Sequence, residues 1–236
     1  MLFELTILGT SAAVPAYGRF CTAQLLRLEK SSVLIDCGEG TQMQLQQVGE
    51  GHGRINLILI SHLHGDHYFG LPGLLTSMIL NGRKAPLHII SPPGLRDQIK
   101  GLIDFDQFEP PFPILFEEVI TTKLQLIYET PDFEVYGFPL IHRLPTNGFL
   151  IREKPRLPNF RKEVISELGI PYQQIPAIKA GGDFIKEDGT TIPHAELVNP
   201  AVNPRSYAFC SDTRYFAGLA DYVKNVDLIY HEATFL

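Results

Sequence analysis

Short apolar runs alternate with polar, turn-bounded segments from the N-terminus to about residue 152. Residues 2–8, 22–28 and 32–35 are rich in aliphatic and β-branched side chains and read as strands. Residues 41–48 read as a helix after the turn Gly38-Glu39-Gly40. The run Ile55-Asn56-Leu57-Ile58-Leu59-Ile60 is the most apolar of all and reads as a buried strand. A helix over 68–80, a strand over 87–90 and a helix over 94–104 follow, then strands over 114–120, 124–128, 133–140 and 148–152. Two more apolar runs, 206–210 and 226–230, lie near the end. Hairpin-like pairs mixed with crossover helices predict mixed sheets covered by helices, an α/β architecture.

The pattern changes between Arg152 and Arg205. Seven prolines, with Gly181-Gly182 and Asp188-Gly189, break up the periodicity, and only 160–168 reads as a helix. A stretch this long without a core pattern is functional or disordered, and it reads as an arm projecting from the domain.

The 236 residues suit one domain (1–236) carrying that arm at about 152–205. The chain opens on an apolar run, yet with Glu4 and no basic start it reads as a first strand rather than a secretion signal. No run approaches the ~20 apolar residues that span a bilayer. Cys21, Cys37 and Cys210 are scattered and odd in number, as in the reduced interior of a cytoplasmic protein. A net charge of −6 excludes a protein coated with nucleic acid, but it leaves room for a local patch. Arg143, Arg152, Lys154, Arg156, Arg161 and Lys162 form one, opposed only by Glu153 and Glu163.

Chemistry concentrates directly after the apolar run at 55–60, where the chain reads Ser61-His62-Leu63-His64-Gly65-Asp66-His67. His62 and His64, two apart in extended chain, project to one side and can hold one ion. Asp66 and His67 begin the next turn and suit a second. Imidazole and carboxylate are zinc ligands, and manganese or iron also accept them. Three further apolar runs end at a candidate ligand: His142, Asp212 and His231-Glu232. Ligands gather beyond the C-terminal ends of strands in layered α/β folds, so four coincident endings point to one shared site. His52, His88 and His194 read as ordinary. Gly38-Glu39-Gly40-Thr41 lacks phosphate-loop spacing and reads as a tight turn, and Asp36 before it is placed to orient a ligand histidine.

These residues resemble the metallo-β-lactamase superfamily, through His62-Leu-His64-Gly-Asp66-His67, His142 and Asp212, and within it the ribonuclease Z family. The narrower resemblance rests on Gly9-Thr-Ser-Ala-Ala-Val-Pro15, Asp36-Cys-Gly-Glu-Gly-Thr-Gln42, Gly70-Leu-Pro-Gly-Leu-Leu75, Ser211-Asp-Thr213 and His231-Glu-Ala-Thr-Phe235. It implies an αββα sandwich with two zinc ions per subunit. His62, His64 and His142 would hold one, Asp66 and His67 the other, and Asp212 would bridge. It also implies a cytoplasmic homodimer whose arm grips precursor tRNA; here Pro171-Tyr-Gln-Gln-Ile-Pro176 stands in place of the family's proline-rich arm element. Family members continue past the His-Glu-Ala-Thr-Phe segment with one more histidine. Ending at Leu236, the sequence reads as a shortened member with a weaker second metal site.

The expected activity is removal of the 3′ trailer from precursor tRNA, with water activated between the ions, Asp66 orienting it and taking its proton, and His231, supported by Glu232, protonating the leaving oxygen. Two other readings stay open: a small-molecule hydrolase or phosphodiesterase of the same fold, or an inactive metal- or RNA-binding member. Salt-steep tRNA binding distinguishes the first and metal content the second.

Overall fold

The computed structural model describes residues 2–14, 18–51, 53–103 and 110–233. The chain forms two compact units. One comprises Met1–Tyr128, Val135–Ile151 and Tyr207–Leu236, and the other Glu129–Glu134 and Arg152–Ser206.

In the larger unit, β1 (Phe3–Gly9), β2 (Ala23–Leu28), β3 (Ser32–Ile35), β4 (Ile55–Leu59), β5 (Leu87–Ser91) and β6 (Ile114–Glu118) make a sheet in sequence order. The first three strands run antiparallel to one another and the last four are parallel. Helices α1 (Thr41–Gln47), α2 (Gly65–Tyr68), α3 (Leu71–Leu80) and α4 (Leu95–Leu102) lie in the crossovers. Parallel strands covered on both faces lose the apolar–polar alternation, which is why the 55–60 run is almost wholly apolar. Alternate residues of β2 show the two faces. Leu25 packs in the cluster with Leu74, Leu75 and Met78 of α3. Gln24, on the opposite face, accepts a hydrogen bond from the Tyr207 hydroxyl of a second sheet.

That second sheet contains β7 (Gln125–Glu129), β8 (Phe133–Leu140), β9 (Thr146–Glu153), β12 (Ser206–Cys210) and β13 (Leu228–His231), ordered β13-β12-β9-β8-β7. Its other face packs Phe138, Leu140, Leu150, Ala208 and Cys210 against residues of and around a short helix, Leu219–Tyr222. Helix, sheet, sheet and helix are thus the layers of an α/β sandwich with mixed strands.

The helix predicted over 68–80 is two pieces, because Gly70 breaks it. The Gly70 amide donates to the Cys37 carbonyl at 2.9 Å, and a Cβ on Gly70 would fall on the Gly38 carbonyl oxygen. Backbone packs on backbone there, and only glycine fits.

The smaller unit is more regular than its composition predicts. It holds α5 (Lys162–Leu168), a 3-10 turn at Tyr172–Gln174, α6 (Ile175–Lys179), a hairpin of β10 (Phe184–Ile185) with β11 (Thr191–Ile192), and α7 (His194–Leu197), which makes the Leu219–Tyr222 helix α8. Phe160, Ile170, Ile178, Phe184, Leu197 and Val198 form its own small core. The expectation of one helix fails because these residues occur singly between prolines and glycines, so no window shows a period. The breakers serve as caps instead: Gly169 (φ 61°) closes α5, and a proline occupies the first turn of α6. Within this unit, Glu153 accepts from the Arg205 backbone N–H at 3.0 Å and from Arg205 Nε at 2.8 Å and Nη2 at 2.9 Å.

Candidate metal centre

The C-terminal end of β4 is held rigidly before any histidine appears. The Ile60 amide donates to the Ile90 carbonyl at 2.8 Å, and the Asn147 amide donates to the Ser61 carbonyl at 3.0 Å. His62 follows in extended chain, His64 is the N-cap of α2, and Asp66 and His67 lie inside that helix. His142 comes just after β8 and Asp212 just after β12.

His62 Nε2 lies 2.8 Å from His64 Nδ1, and His142 Nε2 lies 3.2 Å from the same atom. Asp212 Oδ2 is 3.8 Å from both His62 Nε2 and His142 Nε2. One donor atom from each of these four residues falls within a 4.8 Å spread. Donors bound tetrahedrally at zinc distances of about 2.0–2.2 Å stand on the order of 3.3 Å apart, so this set fits one such ion. Asp212 turns its other oxygen elsewhere. Oδ1 lies 3.6 Å from His67 Nε2, which is 3.6 Å from Asp66 Oδ2. The two carboxylate oxygens of Asp212 therefore address two donor groups, the arrangement a bridging ligand requires.

Electrostatics prepares the nitrogens. Burial, then the neighbouring His67, His64 and His142, pushes the His62 pKa down to about 2. Burial, followed by His142 and Arg143, lowers that of His64. Both rings are neutral with lone pairs available near pH 7. For His67 burial also favours the neutral form, but Asp36, then Asp212 and Asp66, outweighs it and raises the pKa. Burial raises the Asp212 pKa against the pull of His67 and His142, and Glu232 and Asp66 add to the rise. Crowded carboxylates with neutral imidazoles favour a bound cation.

Behind the donors, Asp36 is fully buried at the end of β3 with φ 56°, a left-handed conformation that Asp tolerates better than most residues. Its Oδ1 accepts from the Ser61 backbone N–H at 2.8 Å; its Oδ2 accepts from Ser61 Oγ at 3.0 Å and His67 Nδ1 at 2.7 Å. Ser61 Oγ in turn faces His62 Nδ1 at 3.1 Å and Ser211 Oγ at 2.9 Å. This network assigns the Nδ1–H tautomer to His62 and His67 and aims both Nε2 lone pairs at the donor clusters. A second latch holds His142 beside Asp212: the Ile141 amide donates to Thr213 Oγ1 at 3.1 Å, and the Arg214 amide donates to the Ile141 carbonyl at 2.9 Å. Gly38 explains the glycines after Asp36. A Cβ there would fall on the Asp66 carbonyl oxygen and on the Cys21 side chain, so the turn is a close-packing device.

Over the donors opens a cavity of about 580 Å³, walled by Thr10, Ser11, Arg143, Arg214, Tyr230 and Glu232 together with Asp66, His67, His142 and Asp212.

A sequence profile described as Anti-Pycsar protein Apyc1 matches residues 3–103, which include the His62–His67 cluster but not His142 or Asp212. Ribonuclease Z of Bacteroides thetaiotaomicron is 41% identical over 233 residues, an alignment covering 99% of this chain and 74% of that protein. The chain belongs to the ribonuclease Z family. Among solved structures, human tRNase Z, short form, is similar with a TM-score of 0.68 at 29% identity, over 98% of this chain and 78% of that one. The metallo-beta-lactamase fold protein YhfI from Bacillus subtilis has a TM-score of 0.61 at 14% identity, over 95% and 68% respectively, and shares the fold.

Within this ribonuclease Z-family chain, neither His88 nor His194 belongs to the donor group of His62, His64, His142 and Asp212. His88 sits on β5 against Tyr128, ring centroids 5.2 Å apart, and His194 starts α7. His52 falls outside the described residues, as do Pro15, Thr234 and Phe235 of the quoted motifs. His231 pairs with Cys210 and is exposed, whereas its neighbours Tyr230 and Glu232 wall the cavity. Strand alternation puts His231 on the other face. The support expected from Glu232 comes through its backbone: its carbonyl oxygen, not its carboxylate, faces His231 Nδ1. Sequence reasoning missed Ser61 as the hub between Asp36 and two rings, the Thr213 latch, and the contact of Arg143, read only as part of a basic patch, whose Nη2 lies 2.9 Å from His64 Nε2. The only signal for these was adjacency to a candidate ligand.

Proposed function

We propose that this chain is a metal-dependent endoribonuclease that removes the 3′ trailer from precursor tRNA and leaves a tRNA 3′-hydroxyl. The observation that carries this reading is the two-sided placement of Asp212 between the His62, His64, His142 set and the Asp66, His67 set. The 41% identity to a ribonuclease Z supplies the substrate class.

His62, His64 and His142 with Asp212 Oδ2 would hold one zinc ion, and Asp66 and His67 with Asp212 Oδ1 the other. Bound there, such ions lower the pKa of water and offset charge building on phosphoryl oxygens. The remaining steps belong to the chain. Asp66 orients the attacking water and takes its proton. Arg143 and Arg214, on the cavity wall, meet the negative phosphates. His231 gives its Nδ1–H to the Glu232 carbonyl, which leaves Nε2 to carry a proton to the departing ribose 3′-oxygen. In this structure His231 lies on the face of β13 opposite Tyr230 and Glu232, so the acid role requires its side chain to turn to the cavity when RNA binds. The unit containing 152–206, with Arg152, Arg161 and Lys162 exposed, is the arm that holds the tRNA body, and the protein acts as a cytoplasmic homodimer. No helix among the described residues is long and apolar enough to cross a membrane.

The test is incubation of the zinc-loaded chain with a precursor tRNA bearing a 3′ trailer, followed by end mapping. A single cut that releases a 5′-phosphorylated trailer, is abolished by chelation and is restored by zinc supports the reading. No cut, or a cut indifferent to chelation, refutes it.

A further inference from the structure

His64 differs from its neighbours in what stands behind its ring. His62 and His67 turn Nδ1 toward Ser61 and Asp36, which accept, and keep Nε2 for the donor cluster. His64 is reversed. Its Nδ1 faces the cluster, 2.8 Å from His62 Nε2 and 3.2 Å from His142 Nε2, while its Nε2 lies 2.9 Å from Arg143 Nη2. A guanidinium has donors and no acceptor, and a neutral imidazole has a single N–H. Those two facts place every proton along one line of hydrogen bonds. Arg143 donates to His64 Nε2 at 2.9 Å, and His64 Nδ1–H donates to His62 Nε2 at 2.8 Å. His62 Nδ1–H donates to Ser61 Oγ at 3.1 Å, and the Ser61 hydroxyl donates to Asp36 Oδ2 at 3.0 Å. A permanent donor closes one end of the line and a carboxylate the other.

This line and a ligating His64 exclude each other. To ligate through Nδ1, His64 needs its lone pair there and its one proton on Nε2. A proton leaves Nδ1 to water and one returns to Nε2, with no net change. Nε2–H and the Arg143 N–H then face each other as two donors, and the contact between them is lost. Arg143 also walls the cavity of about 580 Å³ over the donors, together with Arg214 and Thr213, so the freed guanidinium can turn to an anion held there. We infer that Arg143 is a switch between metal and substrate: it is engaged by His64 while Nδ1 carries the proton, and it is handed to a phosphoryl oxygen when His64 ligates. Metal and phosphate then bind cooperatively, each raising the affinity of the other by the same factor. This rests on the metal-dependent endoribonuclease reading and adds the residue that couples metal loading to substrate binding.

The sign of one measurement separates a switch from ordinary support. Removing a partner that merely positions a ligand histidine weakens metal binding, typically 10- to 100-fold. In zinc titrations of the metal-depleted full chain, Arg143→Ala is expected instead to bind about 3- to 10-fold more tightly than the parent, the size of one partly exposed hydrogen bond. Arg143→Gln, whose side-chain oxygen can accept from Nε2–H, is expected to bind at least as tightly as Arg143→Ala. Loss of a positive charge alone would also tighten zinc, so nitrogen-resolved NMR of the parent supplies an independent readout. The His64 proton is expected on Nδ1 before zinc and on Nε2 after it, with the Arg143 side-chain signals moving in step. Affinity for a short single-stranded RNA, checked for integrity after each titration, is then compared with and without zinc. Arg143→Ala is expected to lose about 10- to 150-fold with zinc and no more than about twofold without it. Unchanged or weaker zinc binding in Arg143→Ala, a His64 proton already on Nε2 before zinc, or an equal RNA loss in both conditions overturns the switch. A parent that binds zinc and cuts precursor tRNA while any of these occurs sinks only this inference. A parent that makes no metal-dependent cut sinks the endoribonuclease reading as well.

Discussion

Replacing Asp36 with Asn isolates what the buried carboxylate does. Asn keeps the volume and tolerates the φ of 56°, so the backbone is not the variable. Asp36 accepts three hydrogen bonds, from the Ser61 amide, Ser61 Oγ and His67 Nδ1. A carboxamide has one acceptor oxygen, and its NH₂ must face at least one of those donors. Each lost charge-assisted bond costs about 1.5–3 kcal/mol. His67 feels it most, since Asp36 is the main group raising its pKa against burial. Partners that fix a ligand histidine typically contribute 10- to 100-fold in metal affinity, about 1.4–2.7 kcal/mol. The His62, His64, His142 set has no direct hydrogen bond to Asp36 and reaches it through Ser61 and the neighbouring His67 ring, so its ion should be held within a few-fold of the parent. The assay is calorimetric titration of metal-depleted protein with zinc. Two separable events are expected, with the weaker one reduced by that factor. The reasoning is refuted if both events match the parent, or if the tighter one suffers equally.

Gly38→Ala forces a methyl group onto the Asp66 carbonyl and Cys21, so it should lower both the melting temperature and zinc stoichiometry; Gly51→Ala, where a Cβ meets nothing within 4 Å, should change neither. For Glu153, burial opposes ionisation, but the hydrogen bonds from Arg205 prevail and the pKa is lowered. The folded value therefore lies below the unfolded one of about 4.3, so the stabilisation is present above that pH and vanishes as pH falls through the folded value. Glu153→Gln should cost about 1–2 kcal/mol at pH 7, discounted because the Arg205 side chain is a third exposed, and should flatten the acid limb of a melting-temperature profile. A profile parallel to the parent's denies the pair that role. His231→Ala should slow cleavage about 10²–10⁴-fold with zinc content unchanged, and a substrate with sulfur as the leaving atom should recover most of the rate. Equal slowing on both substrates removes His231 as the acid.

How much could be read from residues alone differs between the site and the smaller unit. The cluster at 62–67 stands out because its donors are close in sequence and sit after the most apolar run in the chain, and both signals survive without tertiary knowledge. The sheets were legible for the same reason, since buried strands are written as continuous aliphatic runs. The core of the smaller unit was not, because Phe160, Ile170, Ile178, Phe184 and Leu197 are too far apart for periodicity to register and meet only on folding. Facing was also hidden at the end of β13. A sequence shows His231 and Glu232 as neighbours, but only the register with β12 shows which of them meets the cavity. Ser61 reads as one more polar residue until Asp36, 25 positions earlier, is brought against it.

The most direct test of a shared two-ion site is zinc content by mass spectrometry for the parent, His67→Ala and Asp212→Ala. With Asp212 facing both donor sets, the parent should hold two ions, His67→Ala should retain one, and Asp212→Ala should weaken both. A parent that binds a single ion, or an Asp212→Ala variant that keeps two at the parent's affinity, contradicts the account.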